Sequence, residues 1–489
     1  MTIFFNGQVS EKYKYELEGI VKLFFPVLHF NFAFNQKNDS KDSYIQFDFE
    51  TINPKNTSLF VEAFVNEKKL SEKMIVKTDD AEIERNLSIM AFNILQKITG
   101  INPQWGILTG VRPVKLIQDK RKENQTDKEI YDFLHEKYLV SENKLKLAFL
   151  TADTQINLLK GNNEKSYSLY ISIPFCKTRC SYCSFVSATI NSKKSLLKVQ
   201  PYVDLLCEEI KQTAIIANSL NFILESIYIG GGTPTAIKAP QLEQIMKAIK
   251  ENFDIKKAKE YTVEAGRADT ITLEKLQVIK KMGADRISVN PQTFNDDVLK
   301  AIGRNHTAKQ SIDCFLMAKE VGFKCINMDF IAGLPNDNFE SFKASIDKAI
   351  ELSPTNITVH TLSIKRSADL FSQEILVEQN DVVKQVEYAK SALIKAGYFP
   401  YYLYRQKNTI GNLENVGYAK SGYESLYNIK IMDETQTILA CGAGGATKLC
   451  NVKIEPSIRR IFNYKYHYEY IDNFQEILKR KQEVFNLYD

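Results

Sequence analysis

The chain has 489 residues, 44% hydrophobic and 25% charged, so its length predicts roughly two to four domains and its composition excludes a disordered protein. Its 64 basic and 59 acidic residues leave a net charge of +5, which indicates a mixed surface, and we expect no nucleic-acid partner. Eight cysteines in so long a chain are no disulfide framework and fit a reducing cytosol. With no signal-peptide pattern and no apolar run long enough to span a bilayer, a cytoplasmic protein is expected.

The first section, residues 1–164, mixes strand and helix patterns, and we predict an α+β accessory domain there. Two runs rich in aromatic and β-branched residues predict paired strands over Ser43–Glu50 and Ser58–Asn66. A helix is predicted over Asp80–Thr99, because an aspartate precedes it and Gly100 follows as a stop signal.

The second section, residues 165–380, alternates short β-rich runs with amphipathic helical runs, which is typical of parallel βαβ units. The predicted strands are 167–173, 226–229, 261–264, 286–289, 325–331 and 357–361, and the predicted helices are 201–217, 241–252, 273–282, 308–321 and 339–352. Six units are too few for a closed eight-fold barrel, so we predict an α/β fold, a partial (β/α)6 barrel. From residue 381 to residue 489 the pattern changes, and we expect a small C-terminal α/β domain that covers the open side of the barrel.

Three cysteines follow the first predicted barrel strand in YISIPFCKTRCSYCSF: Cys176, Cys180 and Cys183, spaced C-x3-C-x2-C. Thiolates this close together can bind one face of an iron–sulfur cluster. Because a [4Fe–4S] cluster usually takes four cysteines, three leave one iron open for a ligand. A zinc site is the alternative, but such sites usually pair two C-x-x-C units or add histidines. The spacing favours redox chemistry at a cluster.

A glycine-rich motif, YIGGGTPT (Tyr228–Thr235), ends the second predicted barrel strand. Three consecutive glycines let backbone N–H and C=O groups approach a ligand closely. A glycine turn alone is weak evidence, since most are simply turns. At the mouth of the strand next to the cysteines it strengthens the cluster hypothesis, because in barrels the chemistry takes place at the C-terminal ends of the strands.

Together the two motifs resemble the radical S-adenosylmethionine (radical SAM) superfamily, in the branch of the oxygen-independent coproporphyrinogen III dehydrogenases. The resemblance covers about residues 166–363, and GVRPVKL (Gly110–Leu116) and YRQKNTIGNLENVGYA (Tyr404–Ala419) are similar to the HemZ-type subgroup. It implies an oxidoreductase with two cofactors, a [4Fe–4S] cluster and S-adenosylmethionine (SAM).

The resemblance also assigns site residues. It implies that Cys176, Cys180 and Cys183 bind the cluster and that Tyr170, the candidate catalytic residue, lies near SAM and the cluster. The other SAM contacts that it implies are Gly231, Gly232 and Thr233 at the methionine end, Glu264 at the amino or ribose groups, Gln292, Arg304 at the carboxylate, Asp329 at the ribose and Ile331 at the adenine. These residue types suit a zwitterion with a diol, since arginine binds carboxylates well.

In the family that this chain resembles, the reduced cluster gives an electron to the SAM sulfonium, and the resulting 5′-deoxyadenosyl radical abstracts hydrogen from the substrate. The implied substrate is a tetrapyrrole, in which a propionate loses carbon dioxide and becomes a vinyl group in haem (porphyrin) biosynthesis. The implied partner is an electron donor such as a flavodoxin or a ferredoxin. Cofactors of this kind carry the chemistry that side chains cannot perform.

Two functions stay open at this point. Phe185 stands where the dehydrogenases have a fourth cysteine, and Ser172 where they have a histidine. The Phe185 pattern is shared with the related haem chaperones, which makes haem binding or delivery, or chemistry on another tetrapyrrole, the alternative. Those chaperones carry a C-terminal His-Asn-x-x-Tyr-Trp element, whose place here is Tyr427–Asn428. His360, on the sixth predicted strand, is either an inward acid–base group, a haem ligand or a packed core residue.

Overall fold

The structure is a computed structural model that describes residues 1–7, 11–26, 29–36, 42–110, 112–160, 163–185, 187–365, 368–372, 378–450, 452 and 458–488. The chain forms two compact units. The first contains residues 1–149 and 405–413, and the second contains residues 150–404 and 414–489.

The first unit is built on a five-stranded sheet in the order β2-β1-β3-β4-β5. Strand β1 runs parallel to both of its neighbours, whereas β3, β4 and β5 form an antiparallel meander, which confirms the predicted strand pair. Its strands are β1 (Thr2–Gly7), β2 (Asn31–Phe34), β3 (Tyr44–Asn53), β4 (Asn56–Val65) and β5 (Lys68–Lys77). Its helices are α1 (Glu11–Phe24), α2 (Asp80–Thr99), α3 (Pro113–Lys122), α4 (Asp127–Asp132), with a π-helical turn at Phe133–Lys137, and α5 (Glu142–Leu159), which continues into the second unit.

Helix α2 confirms the predicted boundaries and shows why they hold. The Asp79 side chain accepts a hydrogen bond from the amide of Glu82, and Gly100 ends the helix in the left-handed conformation (φ 72°). Its buried residues, Leu87 and Leu95 among them, belong to the same hydrophobic core as the buried side chains of the sheet. Every second residue of β4 is buried, so one face of this strand contributes its side chains to the same core.

The second unit alternates strands and helices as predicted. Its first elements are β6 (Ser166–Ile173), β7 (Phe175–Cys176), β8 (Ala188–Thr189), α6 (Lys193–Leu196), α7 (Val199–Ser219), β9 (Ile223–Gly231), α8 (Ala239–Asn252), β10 (Glu260–Gly266), α9 (Leu273–Lys281), β11 (Arg286–Val289), α10 (Asp296–Ala301), α11 (Ala308–Glu320), β12 (Cys325–Ala332), α12 (Phe339–Leu352) and β13 (Asn356–Thr361). The remaining ones are α13 (Gln379–Lys395), β14 (Phe399–Arg405), β15 (Glu414–Ala419), α14 (Leu426–Asp433), β16 (Thr437–Cys441), β17 (Ala446–Cys450), β18 (Ile458–Phe462), α15 (His467–Asp472) and α16 (Phe474–Tyr488).

Six parallel strands, in the order β6-β9-β10-β11-β12-β13, form the centre of an eleven-stranded sheet. Strands β6 and β13 do not pair with each other within the described sheet, so the barrel is open and the predicted partial (β/α)6 fold is confirmed. The strands are buried on both faces, which is what parallel sheets require. Because the six strands are parallel, their carboxyl ends meet at one edge of the sheet. Strands β7 and β8 and the glycine turn also lie at this edge.

The strands of the C-terminal region continue this sheet at both of its edges. At one edge, β15 pairs antiparallel with β13, and β14 lies outside β15 in the sheet. At the other edge, β16 pairs parallel with β6, and β17 and β18 lie outside β16. The Glu260 carboxylate at the start of β10 accepts hydrogen bonds from Ser425 and from the amide of Leu426, and so caps helix α14. The three-domain division at residues 164 and 380 stays a prediction.

Among the segments that the structure describes, no helix is both long and apolar enough to cross a bilayer.

Candidate functional site

The three cysteines of the motif lie on and just after β7, at the carboxyl edge of the parallel strands. Strand β7 pairs with β8, and the Cys183 amide donates to the carbonyl of Cys180 (3.0 Å). Cys176 and Cys180 are buried and Cys183 is partly exposed, and none of them is in a disulfide. Burial raises the pKa of the Cys183 thiol to about 11, so this thiol is neutral at pH 7 unless a bound metal displaces its proton.

The donor set fits an iron–sulfur cluster better than a single metal ion. Among the described residues, no group of three or more histidine, cysteine, aspartate or glutamate side chains converges closely enough to hold one ion. A cluster does not need such convergence, because each of its thiolates binds a different iron. With three thiolates, a [4Fe–4S] cluster would keep one iron open for a further ligand. Phe185, two residues after the third cysteine, is 66% exposed.

The glycine turn packs directly against the cysteine segment. The Thr233 amide donates to the carbonyl of Phe175 (2.8 Å), and the Thr233 hydroxyl lies 3.5 Å from the Cys176 sulfur. Gly231 adopts φ 110°, which a side chain would strain, and a Cβ on Gly232 would lie 2.7 Å from the Phe175 oxygen and 3.0 Å from the Cys176 sulfur. Glycine is therefore required here for the backbone to approach the cysteine segment.

Two buried arginines flank Cys180. Arg267 donates from Nη1 to the Cys180 sulfur (3.4 Å) and binds Asp269 in a bidentate pair (3.0 and 3.1 Å). Arg304 donates to the Tyr182 hydroxyl (3.1 Å), and its charge also acts on Cys180. Two guanidinium groups therefore place hydrogen-bond donors and positive charge beside the Cys180 sulfur.

Two carboxylates and a histidine line the inner face of the sheet at the same edge. Asp329 Oδ2 lies 3.9 Å from His360 Nε2, and its Oδ1 accepts from Asn327 (2.7 Å). Burial alone would raise the pKa of Asp329, but His360, Asn327 and Thr358 together hold it below its usual value. Burial raises the pKa of Glu264 to about 7, and the charge of Asp329 adds to this effect. One carboxylate is therefore ionised at neutral pH while the other can exchange a proton.

Three tyrosine rings stack beneath these carboxylates. Tyr228 lies 4.3 Å from Tyr427 and 6.3 Å from Tyr170, measured between ring centroids, and the planes are within 25° of parallel. The Tyr228 hydroxyl donates to Glu264, so the stack ends on a carboxyl group. Helix α14, which supplies Tyr427, thus packs against the side chains of β6 and β9 that lie next to the site.

The mouth of the site presents buried polar atoms that lack a protein partner. Gln292 has a strained left-handed backbone (φ 69°), and its amide donates to the carbonyl of Asp329 (2.9 Å) while its own carbonyl accepts from Ile331. In the described part of the chain, the buried atoms without a hydrogen-bond partner include Ser288 Oγ, Asn290 Oδ1, Gln292 Oε1 and Arg304 Nε, on and shortly after β11. Buried polar atoms are rarely left unpaired, so these atoms fit a ligand with carboxylate, amino and hydroxyl groups, which are those of SAM.

The structure gathers the predicted residues at one edge, and their individual roles toward cluster and SAM stay predictions. Those residues are Tyr170, Cys176, Cys180, Cys183, Gly231, Gly232, Thr233, Glu264, Gln292, Arg304, Asp329 and Ile331. Sequence reasoning missed Arg267, and it named Tyr427 only at the place of the haem element and not as a stacking partner within the site. The place of Arg267, directly after the third barrel strand, was the signal that could have found it.

Comparison with known proteins identifies the class to which this site belongs. The model of the radical SAM superfamily matches residues 170–349. The chain is 39% identical to the oxygen-independent coproporphyrinogen-III oxidase-like protein HemZ of Bacillus subtilis (strain 168), over 78% of this chain and 77% of that protein. It is 30% identical to the heme chaperone HemW of Lactococcus lactis subsp. lactis (strain IL1403), over 59% of this chain and 72% of that protein. The structure of coproporphyrinogen III oxidase (HemN) from Escherichia coli superposes with a TM-score of 0.52 at 22% identity, over 66% of this chain and 72% of that one.

These similarities show that the chain belongs to the radical SAM superfamily. Within it, the chain belongs to the HemN-like branch that includes HemZ. Its cofactors are a [4Fe–4S] cluster and SAM, and the thiols, the glycine cradle and the unpaired polar atoms of the site fit both groups.

Proposed function

We propose that this protein is a radical SAM enzyme that acts on a tetrapyrrole, and that its reaction is the oxygen-independent oxidative decarboxylation of coproporphyrinogen III. The supporting observation is the convergence of the cysteine loop, the glycine turn and the Glu264–Asp329 pair on one edge of an open barrel. The tetrapyrrole is suggested by the names of HemZ, HemW and HemN.

When bound, the cluster and SAM together supply one-electron cleavage of a carbon–sulfur bond. The chain itself holds and orients these groups. Arg267 and Arg304 place positive charge beside the Cys180 sulfur, and Asp329, fixed by Asn327 and His360, offers an ionised carboxylate to a diol or an ammonium group. Backbone hydrogen bonds from the amides of Gly232 and Thr233 to the carbonyls of Ile173 and Phe175 fix the glycine turn against the cysteine loop.

The proposed reaction balances with one external acceptor. A propionate side chain loses one hydrogen atom, its carboxylate leaves as carbon dioxide, and one electron passes to the acceptor as the vinyl group forms. The electron that starts each turnover comes from outside the chain, from a donor such as a flavodoxin or a ferredoxin.

Haem delivery is the second candidate, since one relative is named a heme chaperone. The structure disfavours Tyr427–Asn428 as a haem-binding element. Tyr427 is buried and stacks on Tyr228, and the Asn428 amide group donates to the Tyr401 hydroxyl (3.4 Å). The Tyr427 ring is therefore closed to a haem that approaches from solvent, and the amide of the partly exposed Asn428 is already engaged.

The test is anaerobic incubation of the reconstituted protein with SAM, a chemical reductant and coproporphyrinogen III, followed by chromatography of the porphyrins and of 5′-deoxyadenosine. Cys176→Ala should lose iron and all turnover. The matched control is Cys207→Ser, which lies on α7 away from the loop and should keep iron and activity.

A vinyl product that depends on Cys176 supports the proposal. Cleavage of SAM without a vinyl product would keep the radical SAM enzyme but rule out this substrate. Stoichiometric haem binding with no turnover of any porphyrinogen would replace the proposal by haem delivery.

A further inference from the structure

The segment that holds the cluster ligands has an unusual charge. From Lys165 to Val203 the chain contains no aspartate or glutamate but six lysines and arginines, although the whole chain has 64 basic and 59 acidic residues. Lys177, Lys193, Lys194 and Lys198 of this segment are exposed. A segment with one sign of charge creates a local positive potential, whatever the net charge of the chain.

Large apolar side chains are exposed within the same segment. Phe185 is 66% exposed, two residues after Cys183, and Leu197 is 75% exposed at the end of α6. Single exposed apolar residues are ordinary, but an apolar centre with a charged rim is typical of protein–protein contact surfaces.

The basic residues lie close to the cluster ligands. The Ile190 amide donates to the carbonyl of Cys176 (2.9 Å), and Lys193 follows three residues later, which the chain spans in at most about 11 Å. Burial, and after it the charge of Lys198, lowers the pKa of His467, whose ring lies 5.6 Å from the ring of Phe175. Lys193 and Lys198 therefore both lie near the ribbon of β7 and β8.

Acidic groups from other elements offset only part of this charge. Asp269, which is buried, lies 3.7 Å from Lys177 and is already bound by Arg267. Asp369 is exposed and lies 3.7 Å from Arg179. The lysines of α6 are left to face solvent, so the surface stays positive.

We propose that this surface, made of Phe185, Lys193, Lys194, Leu197 and Lys198, is the docking site for an acidic one-electron carrier protein. The inference rests on the proposed function, which needs one electron per turnover. On docking, the carrier is oxidised by one electron and the cluster is reduced by one. Electron transfer falls steeply with distance, so the carrier must approach the cysteine loop, and this exposed surface adjoins that loop. An acidic carrier complements the positive rim, and charge complementarity of this kind mainly raises the association rate.

The test measures cluster reduction by stopped-flow absorbance, with flavodoxin hydroquinone as the probe and the SAM-free holoprotein as acceptor. At low ionic strength, Lys193→Glu/Lys194→Glu should slow the second-order rate by about tenfold, and the difference should shrink in high salt. The matched control, Lys256→Glu/Lys324→Glu, makes the same change in net charge on exposed lysines of loops that enter β10 and β12, at the other end of the strands. It should leave the rate unchanged.

A second variant tests the apolar centre separately. Leu197→Ser should raise the Kd for flavodoxin by about five- to tenfold with an unchanged salt dependence, since it removes apolar contact and no charge. Photoreduction with neutral 5-deazariboflavin should proceed at the same rate in all variants, because it needs no docking.

Equal slowing in the Lys256/Lys324 control, or no slowing in the Lys193/Lys194 variant, would overturn the docking site. The surface would be assigned to membranes instead if phosphatidylglycerol vesicles retain the wild type but not the Lys193/Lys194 variant, while both proteins are reduced by flavodoxin at the same rate. The proposed function is judged apart from this, by whether the photoreduced protein cleaves SAM. If the photoreduced protein does not cleave SAM but the Lys193/Lys194 variant still slows reduction by flavodoxin, the proposed function is wrong and the docking surface stands.

Discussion

A buried ion pair holds the loop 442–445, between β16 and β17, against the end of strand β6. Lys481 Nζ lies 3.1 Å from Glu209 Oε1, and the two side chains are 4% and 0% exposed. Glu209 Oε2 also accepts from the amide of Gly442 (2.7 Å). The loop in turn accepts a hydrogen bond from Ser172 at the carbonyl of Ala443 (2.7 Å), so the pair supports the strand that leads to the cysteines.

Removal of the lysine charge should leave Glu209 buried without its counter-ion. Breaking a buried pair in this way costs about 3 to 5 kcal/mol. Hydrogen bonds from Gly442, Tyr470 and Asn463 remain on the carboxylate, which places Lys481→Met near the lower end, at about 3 kcal/mol. The double variant Glu209→Gln/Lys481→Met removes the uncompensated charge and should recover a large part of this free energy.

The assay is native-state hydrogen exchange of the amides of β16, because Trp105 lies in the other compact unit and its fluorescence reports that unit. A loss of about 3 kcal/mol corresponds to about a hundredfold faster exchange for amides that open with the whole unit. The control is Lys211→Met, an exposed lysine on the same helix as Glu209, which should change the free energy of unfolding by at most about 0.5 kcal/mol.

Two results would refute this reasoning. Exchange in Lys481→Met no faster than in Lys211→Met would show that the ion pair does not hold the loop. A double variant as unstable as Lys481→Met alone would show that lost packing, and not an unpaired carboxylate, causes the effect.

Three further predictions concern the site itself. Gly232→Ala should abolish iron binding, measured by iron and sulfide content, because its Cβ would overlap the cysteine segment, whereas Gly110→Ala, with no atom within 4 Å of the added Cβ, should bind iron normally. Arg267→Met removes a hydrogen bond to the Cys180 sulfur and should lower the midpoint potential of the cluster by about 40 to 60 mV in a potentiometric titration; an unchanged potential would contradict this role. Because burial raises the pKa of Glu264 to about 7, its ionised fraction, and with it the calorimetric affinity for SAM, should rise about eightfold from pH 6 to pH 7.5. Glu264→Gln should make that profile flat, and a flat profile in the wild type would be evidence against Glu264 as a SAM ligand.

The sequence by itself determined the elements whose signals are local. Strand β11 and helix α12 have the predicted boundaries, because their apolar periodicity and flanking residues lie within a few positions of each other. The cysteine spacing likewise predicts a cluster-binding loop, since the three thiols come from one short stretch of chain.

Only the tertiary structure decided which distant residues meet. Arg267 donates a hydrogen bond to the Cys180 sulfur, and the ring of Tyr427 on α14 stacks on that of Tyr228. In both contacts the two residues are far apart in the chain. The sequence did not show which strands those after β13 pair with, and in the structure they continue the barrel sheet at both of its edges. A strand's pattern of residues shows that it will be paired and buried, but its partner is set by the packing of the whole unit, which no local pattern records.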